Sequence, residues 1–134
     1  MDSKVTEIIK NMKTNKSIEQ EKVKEAERIL NVDFPGDYKE FLQTFNGAEG
    51  KIGKYSYLEL WDLNKVVDMN KEVSVKRYTP DFLFIGTDGA ETTYAIDHSS
   101  LVSINIIEMP YDSIEPHDAK ICASSFEEFI LNRF

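Results

Sequence analysis

The sequence predicts an α+β fold in which N-terminal helices pack on a mostly antiparallel sheet and a C-terminal helix closes the domain. Three observations favour it: apolar residues at helical spacing near the start, short apolar runs joined by tight turns later, and a helix-capping pattern near the end. Helices and strands in separate blocks are typical of α+β folds. Because 134 residues suit one domain, we expect residues 1–134 to form a single unit.

The N-terminal third predicts three helices. The first has an apolar stripe at positions i, i+3, i+4 and i+7, formed by Val5, Ile8, Ile9 and Met12. Ser17 and Gln20 have the spacing of a capping box, which predicts the start of a second helix. Its expected buried side is Val23, Ala26, Ile29 and Leu30. A third helix is expected to begin near Pro35 and to end at Asn46 and Gly47, with glycine in the left-handed conformation. Its expected buried side is Tyr38, Phe41, Leu42 and Phe45.

Strand patterns dominate after residue 50. Apolar content and flanking turns predict four strands, at 55–61, 82–86, 92–97 and 101–107. Residues 63–70 predict a short helix between the first two, and 110–118 predict a polar loop. Ser124 or Ser125, each followed by a glutamate at a capping distance, is expected to begin the closing helix.

Composition excludes several protein classes. The single cysteine, Cys122, allows no intrachain disulfide and no cysteine metal cluster. The first residues are charged where a signal peptide has an apolar run, and no stretch has the roughly 18 apolar residues of a membrane span. We therefore expect a cytoplasmic protein that does not enter a membrane.

The negative charge is concentrated in the C-terminal part. The net charge of the chain is -8, and residues 1–80 carry as many basic as acidic side chains. From residue 81 onward the chain has ten acidic side chains and only two basic ones, Lys120 and Arg133. Such a surface repels phosphate and attracts basic proteins, so we expect no direct nucleic-acid binding. The alternative interpretation is that the acidity serves solubility alone.

Three side chains are suited to catalysis. Cys122 with His98 or His117 would make a nucleophile with a base. However, Cys122 lies where a strand end is expected, and a free cysteine there usually acts as a small hydrophobe. Neither histidine lies in a nucleophile motif or at the spacing of a metal-ligating pair. We expect no enzyme activity, no metal and no cofactor.

Motifs along nearly the whole chain resemble the SUKH superfamily. Residues 25–47 match its acidic helix and the following "(L/F)-P-x-x-Y-x-x-F-L" helix that ends in Asn-Gly. Residues 58–61 resemble its first strand, 84–89 its "I-G-x-D-G" strand and turn, and 124–130 its closing "S-F-x-x-F-(I/L)" helix. At helical spacing these signature side chains are expected to form the core, so they predict the fold and not the binding face.

The resemblance implies an α+β protein-binding module. Many bacterial members resemble immunity proteins that neutralise a toxin, often a nuclease, in the cell that makes it. The leading hypothesis is therefore an immunity protein (antitoxin) with a cognate toxin of basic surface as its partner. The alternative is a regulatory scaffold for an endogenous cytosolic or cell-wall-pathway protein.

Acidic and aromatic residues of the C-terminal part are the predicted partner-binding site, because a nuclease groove is basic and carboxylates can mimic phosphate there. Asp88, Glu91 and Asp97 are expected at turns of one strand pair. Glu108, Asp112, Glu115 and Asp118 are expected on one polar loop. Aromatic anchors for the centre of the site are Tyr111, Tyr94 and Trp61, of which Tyr111 is the best candidate for exposure.

Overall fold

A computed structural model of the chain describes residues 1–113 and 115–134. The predicted α+β class is confirmed, with N-terminal helices, a central sheet and a C-terminal helix. The helices are α1 (Ser3–Lys10), α2 (Gln20–Leu30), α3 (Gly36–Phe45), α4 (Leu63–Asn70), α5 (Val73–Tyr78) and α6 (Phe126–Asn132). The strands are β1 (Lys13–Thr14), β2 (Ala48–Ile52), β3 (Ser56–Leu60), β4 (Phe82–Thr87), β5 (Thr92–Asp97), β6 (Asn105–Pro110) and β7 (Lys120–Ala123).

The sheet is an antiparallel meander in which the strands lie side by side in chain order. One face packs against the helices and holds the main core, where Phe41 of α3, Phe126 of α6 and Leu58 of β3 are fully buried or nearly so. The opposite face carries a second, smaller cluster of Ala95, Ile107 and Met109. Side chains of successive residues therefore alternate between two apolar environments in β5 and β6.

The start of α2 differs from the prediction. Its N-cap is Glu19, with no side-chain capping bond, and Ser17 lies outside the helix. The reason is tertiary: the backbone N–H groups of Asn15 and Ile18 donate to the carbonyls of Phe45 and Gln43 in α3, at 3.0 Å each. This pairing holds the segment extended along the end of α3, so the helix starts later.

Asn46 and Gly47 end α3 as predicted, but the left-handed C-cap is Asn46, with φ of 47°. Its side-chain Oδ1 accepts a hydrogen bond from the N–H of Leu63 at 2.8 Å, and its carbonyl accepts one from Asn15 Nδ2 at 2.8 Å. Asn46 thus joins α3 to the start of α4 and to the segment that follows β1.

One strand prediction needs correction. The strand expected at 101–107 begins only at Asn105, and Leu101 and Val102 lie fully exposed in the preceding loop. The hydroxyl of Ser100 accepts hydrogen bonds from the N–H groups of Val102 and Ser103, so the segment forms a turn instead of pairing. The closing helix does begin as predicted, with Ser125 as its N-cap.

Asn70 at the end of α4 acts in place of a neighbouring strand for part of β4. Its Oδ1 accepts from Phe84 N–H, and its Nδ2 donates to the carbonyls of Phe84 and Val66, all at 2.8 Å. The side chain is only 6% exposed. The helix pair α4–α5 is thereby fixed against the sheet next to the site described below.

We expect Asn70→Ala to lower the free energy of unfolding by about 2–4 kcal/mol, because it leaves two main-chain groups of Phe84 without partners in a largely buried position. Asn64→Ala, at an exposed position of the same helix, is the matched control and should change the free energy of unfolding by less than about 0.5 kcal/mol. Urea unfolding of both variants measures the difference. Equal stabilities would show that Asn70 does not hold β4.

Candidate partner-binding site

Two acidic loops meet at one end of the sheet. The β4–β5 turn, residues 88–91, and the β6–β7 loop, of which residues 111–113 and 115–119 are described, are adjacent because Thr92 pairs with Pro110. The N–H of Tyr111 donates to the carbonyl of Glu91 at 2.7 Å, which links the two loops directly. We call the five carboxylates of these loops the acidic end: Asp88, Glu91, Asp112, Glu115 and Asp118.

Two of the predicted site residues do not join the acidic end. Asp97 is the last residue of β5, roughly 16 Å along the strand from the turn at its start. Its carboxylate accepts the N–H of Ser99 at 2.8 Å in the next turn. Glu108 lies in β6 and not in the polar loop, and Arg133 binds both of its carboxylate oxygens, at 3.1 and 2.9 Å. The hydrogen bonds that Arg133 donates to Glu108 are the main cause of a raised pKa at Arg133.

The five carboxylates of the acidic end differ in exposure and in the hydrogen bonds that they accept. Asp88 is half-buried and accepts the N–H groups of Ala90 and Thr92 at 2.9 and 3.0 Å. Burial pushes its pKa upward, but these hydrogen bonds outweigh that effect and the pKa is below its ordinary value. Asp118 accepts the hydroxyl of Ser113 at 2.6 Å. Both therefore shape their loops, whereas Glu91, Asp112 and Glu115 are exposed and are available to a partner.

The three aromatic candidates differ in their exposure to solvent. Tyr111 is 61% exposed beside the acidic end, as expected. Tyr94 is not available as an anchor: it is 2% exposed and its ring packs edge-on against Phe129 at 4.9 Å. It points to the helix side of the sheet because it lies one residue from Thr93, which shares the other face with Met109. Trp61 is also buried, at 5% exposure.

A cavity of about 230 Å³ borders the acidic end. Its walls are mostly apolar and come from the end of β3, from α4 and α5, and from β4 and β6. The large side chains among them are Trp61, Met69, Val75, Phe84, Met109 and Tyr111, and the carboxylates are Glu72 and Asp112. Glu72 and the two methionines were not predicted as site residues, since no local sequence pattern relates positions that only the folded sheet and the helix pair bring together.

The candidate catalytic residues are not arranged as an active site. His98 follows the end of β5, with Nε2 3.0 Å from the carbonyl of Asp33, while His117 lies in the β6–β7 loop at the opposite end of the sheet. Burial, helped by the charge of Glu108, raises the pKa of the Cys122 thiol to about 11, which keeps it protonated and weakly nucleophilic. Within residues 1–113 and 115–134 no group of three or more His, Cys, Asp or Glu side chains has metal-binding geometry.

None of the helices in the described part of the chain has the length and apolar character needed to cross a membrane.

A family model described as "SMI1 / KNR4 family (SUKH-1)" matches residues 17–132. The match extends from the segment before α2 to the last residue of α6 and so includes every strand of the sheet except β1. A comparison with curated proteins returned no match.

Proposed function

The chain belongs to the SMI1 / KNR4 family (SUKH-1), and on that ground we propose that it is an immunity protein that binds and neutralises a cognate toxin in the cytoplasm. The mechanism is protein–protein association without catalysis. The toxin presents a basic surface, such as the substrate groove of a nuclease, and the acidic end covers it. The acidic protein itself does not bind nucleic acid.

The observation that carries this proposal is the position of the free carboxylates. Glu91, Asp112 and Glu115 are exposed on adjacent loops beside the exposed ring of Tyr111. An aromatic anchor flanked by charges is the usual composition of an energetically important interface patch. Carboxylates at such a site steer a basic partner toward it and oppose binding of acidic molecules.

Co-expression with the product of a neighbouring gene, as the candidate toxin, tests the function. We expect the chain to restore growth to cells that make the toxin and to co-purify with it as a complex. The Phe41→Ala variant keeps the charge of the chain, and it should no longer restore growth because it destabilises the fold that presents the site. If no neighbouring product inhibits growth and the chain instead co-purifies with an endogenous cytosolic or cell-wall-pathway protein, the regulatory scaffold is the correct function.

A further inference from the structure

We propose that the cavity beside the acidic end is a receptor for one aromatic side chain, flanked by basic residues, on a loop of the partner. This inference rests on the proposed function, because it assigns the anchor by which the partner is held. Two independent features of the cavity carry it: the chemistry of its walls and rim, and an unpaired buried donor.

The walls select an uncharged, aromatic occupant. Met69, Met109 and Phe84 offer sulfur and ring surfaces, both of which pack favourably against an aromatic ring. The two carboxylates among the lining residues, Glu72 and Asp112, are exposed and therefore lie at the rim. A lysine or arginine tip inserted among the apolar walls would lose its hydration there, which is unfavourable. Basic residues on either side of the anchor remain at the rim, where the carboxylates can pair with them.

The unpaired donor is the indole N–H of Trp61. Its nitrogen is buried and has no hydrogen-bond acceptor among the residues that the structure describes. A buried donor without a partner is unfavourable, so an occupant that supplies an acceptor is favoured. Trp61 lines the cavity, and tyrosine is the aromatic side chain that brings an acceptor oxygen as well as a ring, so tyrosine suits both the walls and this donor.

The test needs no knowledge of the partner. Trp61 is the only tryptophan of the chain, so its indole N–H gives a single cross-peak in a nitrogen–proton correlation spectrum. The probes are three capped tripeptides, Lys-Tyr-Lys, Lys-Ala-Lys and Glu-Tyr-Glu. We expect Lys-Tyr-Lys to move the Trp61 cross-peak in a saturable manner and to bind about tenfold or more tighter than Lys-Ala-Lys, since only the former buries a ring. Glu-Tyr-Glu should bind at least about fivefold more weakly than Lys-Tyr-Lys.

Variants locate the binding. Tyr111→Ala removes an exposed wall, and Glu72→Lys combined with Asp112→Lys reverses the rim; each should weaken Lys-Tyr-Lys at least about fivefold. Tyr55→Ala is the matched control, because Tyr55 is 91% exposed and does not line the cavity, and it should bind like the unchanged chain. Equal binding of the three peptides, no saturable shift of the Trp61 cross-peak, or equal loss in the Tyr55 control would overturn the assignment.

Failure of this assignment is distinguishable from failure of the proposed function. If the chain neutralises its toxin but Lys-Tyr-Lys does not bind at Trp61, the cavity assignment is wrong and the function stands. If the peptide binds as expected but no toxin is neutralised, the receptor site stands and its partner is of another kind.

Discussion

Replacing Phe41 by alanine is expected to destabilise the protein by about 3–5 kcal/mol, as is usual when a large aromatic side chain is removed from a close-packed core. Phe41 is fully buried in α3. Its ring lies 5.0 Å from that of Phe126 in α6 and 6.2 Å from the rings of Tyr38 and Phe45. The cavity left by alanine would therefore separate the N-terminal helices from the closing helix.

Equilibrium unfolding in urea measures this loss, and Phe41→Leu is the control, because it keeps most of the side-chain volume and should cost about 1.5 kcal/mol or less. Thr44→Ala, at an exposed position of the same helix, should leave the midpoint unchanged within about 0.5 kcal/mol. Stability of Phe41→Ala within 1 kcal/mol of the unchanged chain would contradict the core assignment. A variant that melted normally yet lost its partner would place Phe41 at the interface.

The core was the most predictable part of the fold, because helical spacing alone selects one face of a helix. Tyr38, Phe41, Leu42 and Phe45 are all buried along α3, as the spacing predicts. Ile29 of α2 is an exception at 50% exposure, although it follows the same pattern. Periodicity identifies an apolar stripe, but the width of the stripe that is covered depends on which neighbours pack there.

The predicted helix and strand boundaries that proved wrong are those at which tertiary hydrogen bonds compete with local sequence signals. Ser17 has a correct capping pattern, but the backbone of Ile18 bonds to Gln43 instead. Strand β2 has little strand propensity, with Glu49, Gly50 and Lys51 in its middle, and it forms because β3 pairs with it along its whole length. Neither effect is visible within a short window of sequence.

The candidate site was predictable in charge but not in shape. The acidic excess after residue 80 and the exposure of Tyr111 follow from the sequence. The two loops are adjacent because the strands form a meander, and this strand order is not evident from the local sequence of either loop. The pairing of Glu108 with Arg133, 25 residues later, joins β6 to the end of α6 and has no local signature. For this reason Glu108 was predicted as a partner-binding residue without its pairing to Arg133 being foreseen.

The second large effect concerns association with the partner. Reversing Glu91, Asp112 and Glu115 to lysine is expected to reduce the association rate constant about tenfold or more at low salt, because these exposed charges act on the approach of a basic partner. The melting temperature should change little, since the side chains of Glu91 and Asp112 form no hydrogen bond or ion pair among the described residues and Glu115 has only a 3.7 Å contact with exposed His117.

A matched variant separates local steering from total charge. Glu7, Glu19 and Glu25 are exposed on the N-terminal helices or at their ends, and reversing them to lysine changes the net charge by the same amount. If acidity serves only solubility, the two triple variants should associate equally fast. If the acidic end meets the partner, the N-terminal variant should stay close to the unchanged chain, and added salt should narrow the difference by screening.

The most direct test of the proposed binding surface is the association rate constant of these two triple variants with the proposed toxin partner, measured at low and at physiological salt. We predict a slower association for Glu91→Lys/Asp112→Lys/Glu115→Lys alone, with a difference in rate constant that shrinks as salt is raised. Equal rate constants for the two variants at both salt concentrations would contradict the assignment of the acidic end as the partner-binding surface.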